Sequence, residues 1–281
     1  MRIIDANDIE ESVYNLTLIT AFNINEKERG FLKIAINEEE SDIARNVIGD
    51  ILNNAIIAEK ERIPLCQDTG TAIYYVEIGN ELMIKGDLLK NAINNGMRRA
   101  YNDGYLRKSI VNDPLFNRAN TGDNSPAMIH FDEIRGDKLK ITYIAKGGGS
   151  DNVSKIWMYQ PTEDLEIIMN NIVNFIKDNG MNACPPLIVG IGIGGTFDYA
   201  AFLAKKALTR QLKEYNKNKD YAELEKTLLK RINNTGLGPM GYGGKTTALA
   251  VNVEYAPCHL ASLPVAINLN CHSHRTGRII L

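Results

Sequence analysis

Helical and strand patterns follow one another in no steady order along this chain of 281 residues, and that mixture limits the folds open to it. Six segments are predicted to be helices, several with apolar residues at helical spacing: residues 7–22, 39–57, 87–103, 162–177, 198–215 and 221–232. Six runs rich in β-branched and aromatic residues are predicted to be strands: residues 71–78, 127–134, 138–145, 187–193, 249–255 and 263–269. The two strands that flank Arg135-Gly136-Asp137 are expected to form a hairpin.

This mixture predicts an α/β fold of the mixed α+β kind. We expect a single large domain over residues 1–281, with mixed sheets flanked by helices. Twelve of the 23 glycines lie in three loops, at residues 147–149, 190–195 and 236–244. Such clustering indicates backbone that approaches another group closely or adopts a positive φ. We therefore expect the active site to lie in glycine-rich loops.

The composition excludes several classes of protein. Hydrophobic residues make up 44% of the chain and charged residues 23%, which is typical of a soluble globular protein. A net charge of -2 without a basic tail argues against nucleic-acid and membrane-surface partners. The N-terminus lacks the apolar core of a signal peptide, and no apolar run approaches the ~20 residues of a membrane span. We predict a cytoplasmic location, where the four cysteines are not expected to form disulfides.

Two glycine motifs resemble nucleotide-binding sites, but the residues around them do not fit such a site. The run from Gly190 to Gly195 fits G-x-G-x-x-G, yet the stretch about 20 residues on is a polar linker and not the end of a second strand that carries a ribose-binding acid. The run Gly244-Lys245-Thr246 resembles the end of a P-loop. However, Pro239 stands where that pattern needs glycine, and proline removes a backbone N–H from the phosphate cradle. The sequence therefore argues against both NAD binding and nucleotide hydrolysis.

Metal-binding side chains are densest in residues 252–275, which hold two of the four cysteines and three of the four histidines. Four of them form two Cys-His pairs that begin at Cys258 and Cys271, and thiolate and imidazole are the ligands that soft metals prefer. Cys66 and Cys184 likewise stand beside turn-forming or polar residues rather than inside helices. The chain has no C-x-x-C pair, so the compact zinc and ferredoxin patterns are absent. Taken singly, each cysteine could be a ligand or an inert core residue.

Seven segments resemble, in the same order, the class I, iron–sulfur-dependent fumarate hydratase and tartrate dehydratase family. They are P-L-C-Q-D-T-G (64–70), D-P-L-F-N-R-A-N-T-G-D-N-S-P-A (113–127), A-K-G-G-G-S (145–150), A-C-P-P (183–186), and residues 190–198, 236–254 and 256–275. Together they cover essentially the whole chain after the first helices. The resemblance is to the α-subunit, or to the N-terminal half of fused forms.

The resemblance implies a [4Fe–4S] cluster held by Cys66, Cys184 and Cys271, with one iron left open to substrate. Cys258 matches a family position that is not a ligand. Three thiolates leave one iron free for chemistry, whereas a fourth would make the cluster an electron carrier. The number of cysteine ligands therefore decides between catalysis and electron transfer.

The resemblance also assigns residues to the substrate. Asp68 and His259 are implied to be catalytic, holding a hydroxyl group and moving its proton. Gln67, Arg107 and Gly149 are implied to bind substrate, and an arginine suits paired hydrogen bonds to a carboxylate. Without the family, Asp68 would be interpreted as a turn residue, His259 as a core histidine and Arg107 as a surface arginine. Seven further polar residues are candidates of second rank: Asn124, Lys146, Lys245, Thr246, His272, His274 and Arg275.

The implied reaction is reversible hydration of fumarate to L-malate, a small dicarboxylate. The family's C-terminal half, which carries the base for the opposite face of the substrate, is missing from this chain. We therefore expect a separate β-subunit, a hetero-oligomer, and no activity from this chain alone. One alternative keeps the chemistry and makes the chain the α-subunit of an L-tartrate dehydratase. An alternative from another class is an electron-transfer or iron-sensing protein in which all four cysteines bind the cluster.

Overall fold

The computed structural model describes residues 2–281, which form two compact units, each assembled from separate stretches of the chain. Unit 1 contains residues 2–24, 54–148 and 275–281, and unit 2 contains residues 25–53 and 149–274. Each unit has a mixed sheet, and the sheets are flanked by helices, which confirms the predicted α/β fold class. The single domain over residues 1–281 stays a prediction.

Unit 1 is built on a four-stranded sheet. Its strands and helices are β1 (Arg2–Asp5), α1 (Ala6–Phe22), β2 (Thr71–Gly79), β3 (Leu82–Lys85), α4 (Leu89–Asp103), β4 (Met128–Ile134), β5 (Leu139–Lys146) and β10 (Thr276–Ile280). The sheet order is β10-β5-β2-β4, in which β5 is antiparallel to both neighbours and β2 is parallel to β4. Strands β1 and β3 form a separate parallel pair.

Helices α1 and α4 pack closely against each other in unit 1. The side chain of Asp5 caps α1 by accepting the N–H of Asn7 at 2.9 Å. An added Cβ at Gly96 of α4 would lie 2.4 Å from the carbonyl oxygen of Glu10 in α1. Only glycine allows the two helix backbones to approach this far.

The predicted hairpin is wrong, because β4 and β5 do not pair with each other. Strand β2 lies between them, and Ile73 of β2 faces Met128 of β4 on one side and Ile144 of β5 on the other. The connection between β4 and β5 crosses the end of β2, where an added Cβ at Gly79 would lie 2.3 Å from the carbonyl oxygen of Gly136. Residues 135–137 do lie in the connection between β4 and β5, but the local sequence does not encode the long-range parallel pairing of β4 with β2.

Unit 2 is built on a second four-stranded sheet. Its elements are α2 (Glu26–Glu38), β6 (Ser154–Tyr159), α6 (Leu165–Asn179), β7 (Leu187–Gly194), α7 (Phe197–Ala207), α8 (Lys219–Asn233), β8 (Ala248–Ala256) and β9 (Leu263–Asn270). The unit boundaries cut α3 (Asp42–Glu61) and the single turn α5 (Gly148–Asp151). The sheet order is β6-β9-β7-β8, with β9 antiparallel to both neighbours and β7 parallel to β8.

Strand β7 explains the glycines that match the dinucleotide pattern. Val189 and Ile191 alternate with the glycines and enter a core that includes side chains of α6 and α8. Added Cβ atoms at Gly190 and Gly192 would each lie 2.1 Å from a backbone carbonyl oxygen of α7, in Ala204 and Ala200 respectively. The glycines therefore let α7 lie directly on the strand.

Several element boundaries differ from the sequence prediction. The helix expected over residues 39–57 starts later, at Asp42, and a separate helix, α2, precedes it. The helix expected over residues 198–215 ends at Ala207, eight residues early. The short strands β1, β3, β6 and β10 were not predicted, since four to six residues carry too little periodicity to be recognised.

Glu39, between α2 and α3, fills the glycine loop that resembles the end of a P-loop. Its carboxylate accepts the N–H groups of Lys245 at 2.9 Å and Thr246 at 3.0 Å, and the Thr246 hydroxyl at 3.0 Å. Only 2% of Glu39 is exposed. Burial raises the pKa of the Glu39 carboxyl, but hydrogen bonds from the backbone of Lys245, Thr246 and Ser41 outweigh burial, so the net pKa is lowered. The backbone donors that a phosphate would need are thus bonded to the chain's own carboxylate.

We expect Glu39→Gln to lower the free energy of unfolding by about 1.5–3 kcal/mol at neutral pH, the range for hydrogen bonds to a charged group. Because folding lowers the pKa of Glu39, its contribution is complete above the unfolded pKa near 4.5. The contribution is lost as the pH falls through the lower folded pKa. Urea unfolding at neutral pH and at about pH 3 would show the difference between variant and wild type shrinking in acid. The exposed neighbour Glu38→Gln is the control, and a difference that does not change with pH would contradict this account.

Candidate active site

Three neighbouring strands of unit 1 bring sequence-distant site residues to one edge of the sheet. Asp68 precedes β2, Lys146 ends β5, and Arg275 precedes β10. The register places Thr71 opposite Lys146, and the N–H of Ala145 donates to the carbonyl oxygen of Arg275 at 3.0 Å. Lys146 and Arg275 are each only 1% exposed. This edge therefore combines a carboxylate with two buried cationic residues.

Backbone N–H groups hold the Asp68 carboxylate from both sides. Oδ1 accepts the N–H of Gly70 at 3.0 Å, and Oδ2 accepts the N–H of Gly148 at 2.7 Å. An added Cβ at Gly147 would lie 3.1 Å from Oδ2 of Asp68 and 3.7 Å from Nη2 of Arg275. The carboxylate and the guanidinium therefore both border Gly147. With one donor on each oxygen, the orientation of the Asp68 side chain is fixed.

The turn that carries Asp68 also depends on glycine and on a threonine hydroxyl. Gly70 has a φ of +80°, and an added Cβ there would lie 2.8 Å from the backbone of Lys146. The hydroxyl of Thr69 donates to the carbonyl oxygen of Arg107 at 2.6 Å. The Asp68 turn is therefore bonded to the segment that carries Arg107, whose side chain is exposed.

Cys184 and Cys271 lie at one edge of the unit 2 sheet. Cys184 precedes β7 and Cys271 follows the antiparallel strand β9, with Ile188 opposite Asn270. The N–H of His272 donates to the carbonyl oxygen of Cys184 at 3.2 Å. The two predicted ligands of this unit are therefore on loops joined by a hydrogen bond.

The other two cysteines are placed differently. Cys66 lies in unit 1 next to exposed Gln67 and is half-buried. Cys258 lies on an exposed loop after β8, and its thiol donates to the carbonyl oxygen of Ser262 at 3.2 Å. In residues 2–281, no three His, Cys, Asp or Glu side chains are grouped so that they could hold a metal ion. The ligand set implied by the resemblance stays a prediction.

His259 lies on the same exposed loop as Cys258. The N–H of Ala261 donates to its Nδ1 at 3.1 Å. A ring nitrogen that accepts a hydrogen bond carries no proton, so the neutral ring carries its proton on Nε2. His259 can therefore offer Nε2–H as a donor to a substrate hydroxyl.

Gly149, like Gly148 beside it, has more space at the Cβ position than Gly147 of the same loop. An added Cβ would meet one atom, the carbonyl oxygen of Asn182, at an ordinary contact distance of 3.7 Å. No neighbouring atom among the described residues requires glycine at this position. The open space is consistent with a group outside the chain approaching the backbone here.

His274, a candidate of second rank, anchors the chain three residues after Cys271. Its Nε2 lies 2.7 Å from the carbonyl oxygen of Leu208, and its Nδ1 lies 2.7 Å from Oε1 of Glu28. A carbonyl oxygen only accepts, so Nε2 carries a proton, and a second proton lies between Nδ1 and the Glu28 carboxylate. Both side chains are almost fully buried. Glu28 was not predicted, although N-x-x-E, beginning at Asn25, is a helix-start signal that marks it.

Comparisons with known proteins agree with the motifs. The sequence profile described as "Fumarate hydratase (Fumerase)" matches residues 10–280. A protein of Methanocaldococcus jannaschii named "Putative L(+)-tartrate dehydratase subunit alpha" is 40% identical over 273 residues, which is 95% of each chain. The L(+)-tartrate dehydratase subunit alpha of Escherichia coli O157:H7 is 29% identical over 282 residues, 98% of this chain and 91% of that one. The protein of the same name from Shigella boydii serotype 4 shows the same identity and coverage.

A profile match over nearly the whole chain, together with these relatives, defines the class of enzyme as a hydro-lyase. The chain belongs to the fumarate hydratase (fumerase) family. This confirms the resemblance that the seven motifs indicate. Among residues 2–281, no helix is both long and apolar enough to cross a membrane.

We expect His274→Ala to lower the free energy of unfolding by about 3–5 kcal/mol, because it leaves the buried Glu28 carboxylate without this partner. The double variant Glu28→Leu/His274→Leu should recover much of that loss, since two apolar side chains leave no buried charge. Urea unfolding measures both. The exposed histidine variant His259→Ala is the control and should change the free energy by at most about 0.5 kcal/mol. A double variant less stable than His274→Ala would show that the pair itself stabilises the fold.

Proposed function

We propose that this chain is the α-subunit of an L(+)-tartrate dehydratase, a hydro-lyase that removes water from a small 2-hydroxy dicarboxylate. The observation that carries this proposal is the Asp68 carboxylate, fixed by two backbone N–H groups at a sheet edge with two buried cationic residues. The names of the relatives favour tartrate over the fumarate-to-malate reaction expected from the motifs. Fumarate hydration is the second candidate, because the family profile carries that name.

Loss of water breaks a C–O bond at one carbon and removes a proton from the neighbouring carbon. The departing hydroxyl needs a proton or a Lewis acid, and in our proposal Asp68 and His259 hold it and move its proton. His259 is suited to this because its neutral ring offers Nε2–H. The exposed guanidinium of Arg107 would pair with a substrate carboxylate through two parallel hydrogen bonds. Gln67 and the open backbone at Gly149 complete the proposed binding site.

The chemistry of three cysteines fits a [4Fe–4S] cluster with one open iron. Cys66, Cys184 and Cys271 form no disulfide, none of them is fully buried, and each lies in a loop near a strand end. When bound by these three, a cluster would supply a Lewis-acidic iron for the departing hydroxyl. Cys258 matches a position that is not a ligand in the family, which favours three ligands over four. That ligand number favours a hydro-lyase over an electron-transfer or iron-sensing protein.

The proposal includes a second protein. The relatives are named as alpha subunits, which supports a separate β-subunit and a hetero-oligomeric enzyme. In our proposal the β-subunit supplies the base that takes the carbon-bound proton from the opposite face of the substrate. Without the β-subunit, this chain would then bind the dicarboxylate weakly and would not convert it to product.

The test is an anaerobic assay of the iron–sulfur-reconstituted chain with its β-subunit on L(+)-tartrate, L-malate and fumarate. We expect kcat/KM for tartrate to exceed that for malate by at least about tenfold, because a site that binds the second hydroxyl discriminates against its absence. Either subunit alone should be inactive. A preference for malate and fumarate would establish the second candidate. A complex with a full cluster that neither dehydrates tartrate or malate nor hydrates fumarate would contradict both.

Iron binding separates the three-ligand and four-ligand alternatives. We expect the serine variants of Cys66, Cys184 and Cys271 each to lose most of their iron and sulfide, since serine is a poor ligand for a soft metal. The matched control Cys258→Ser should keep its iron. Iron and sulfide analysis with visible absorption spectra measures this in the purified chain without any substrate. Equal loss in all four variants would favour the electron-transfer or iron-sensing alternative.

A further inference from the structure

One buried side chain, that of Asn124, connects the turn that carries Asp68 with the segment that carries Arg107. Its Nδ2 donates to the carbonyl oxygen of Gly70 at 3.2 Å, and its Oδ1 accepts the N–H of Ser109 at 2.7 Å. Gly70 lies two residues after Asp68, and Ser109 lies two residues after Arg107. Asn124 is 0% exposed, so water does not compete for its side chain.

The backbone of Gly70 transmits this contact to the Asp68 carboxylate. Its N–H donates to Oδ1 of Asp68 at 3.0 Å, while its carbonyl oxygen accepts from Asn124 and from the hydroxyl of Tyr101 at 2.9 Å. Burial raises the pKa of Tyr101, so its hydroxyl keeps its proton and remains a donor. A shift of the Gly70 backbone would therefore turn the carboxylate.

A second contact joins the same two segments. The Thr69 hydroxyl donates to the carbonyl oxygen of Arg107, as described above. One hydrogen bond between two segments acts as a pivot, whereas two bonds from different residues fix both their distance and their angle. Asn124 supplies the second of these constraints.

Asparagine combines three properties that this position uses. Its backbone has a φ of +63°, in the left-handed region that asparagine tolerates better than most residues. Its amide supplies one donor and one acceptor, and both are used. Glycine would keep the backbone conformation and remove both contacts. Aspartate would keep the acceptor for Ser109 and lose the donor to Gly70.

We propose that Asn124 is a positioning residue, which sets the spacing of the Asp68 carboxylate and the Arg107 guanidinium around the dicarboxylate substrate. This inference rests on the substrate roles of Asp68 and Arg107 under the proposed function. Asn124 itself does not touch the substrate in this account. It acts through Gly70 on one side and Ser109 on the other.

The test uses the cluster-loaded complex of the chain with its β-subunit. In Asn124→Gly we expect kcat/KM for the substrate to fall about 10- to 100-fold, with KM raised at least about fivefold, since small misplacements of binding groups have effects of this size. The matched control is Asn120→Gly, because Asn120 is exposed in the same loop and bonds Lys108 and Gly122 instead. It should stay within about twofold of wild type.

Two further readouts separate positioning from folding. In Asn124→Gly the Ser109 amide should exchange its hydrogen at least about tenfold faster, whereas in Asn124→Asp it should stay protected while KM still rises. If Asn124→Gly does not fold, Asn124→Asp alone tests the proposal, because its KM should rise while the Ser109 amide stays protected. A lower kcat in proportion to the folded fraction with unchanged KM would overturn the proposal. An equal loss in Asn120→Gly would overturn it too.

Asp68→Asn and Arg107→Gln distinguish failure of this inference from failure of the proposed function. If both lower kcat/KM by at least about 100-fold while Asn124→Gly behaves as wild type, only the positioning role is wrong. If neither lowers it, the proposed substrate roles are wrong and the positioning role falls with them.

Discussion

The bond between a carboxylate and backbone N–H groups of glycine-rich turns is the interaction on which both units depend. In unit 1 it orients Asp68 through Gly70 and Gly148. In unit 2 the buried Glu39 holds the loop at Lys245 and Thr246 in the same way. Glycine is needed in such turns because its backbone adopts positive φ and lets donors approach. The same chemistry thus stabilises one loop and, in our proposal, prepares the other for a substrate.

Antiparallel register then decides which distant residues meet. At one sheet edge, β2, β5 and β10 bring together Asp68, Lys146 and Arg275. At an edge of the other sheet, β7 and β9 bring together the loops of Cys184 and Cys271. Strand ends are suited to this, since a rigid ladder holds the backbone while the adjoining loops carry polar groups. Buried side chains such as Asn124 and His274 then fix the loops beyond the ladder.

Several predictions from the sequence were confirmed, and the reasons for the others are physical. The fold class and the family membership follow from local patterns and ordered motifs. The hairpin was wrong because its turn residues were present while its pairing was not local. The glycines of β7 match a nucleotide motif, yet they serve the packing of α7. The roles assigned to Asp68, His259, Gln67, Arg107, Gly149 and the three cysteine ligands stay predictions.

The sequence by itself determined the mixed α/β class, most of the longer elements, the family and the candidate residues. These signals are short in range, since they depend on spacing, composition or motif order. Only the tertiary structure decided the position of β2 between β4 and β5 and the partners of the buried polar groups. Asn124 reaches Gly70 across 54 residues, Asp68 reaches Gly148 across 80, and Glu39 reaches Lys245 across 206. Each of these contacts satisfies a backbone group that the local chain leaves unpaired, and no local pattern specifies which distant residue will do so.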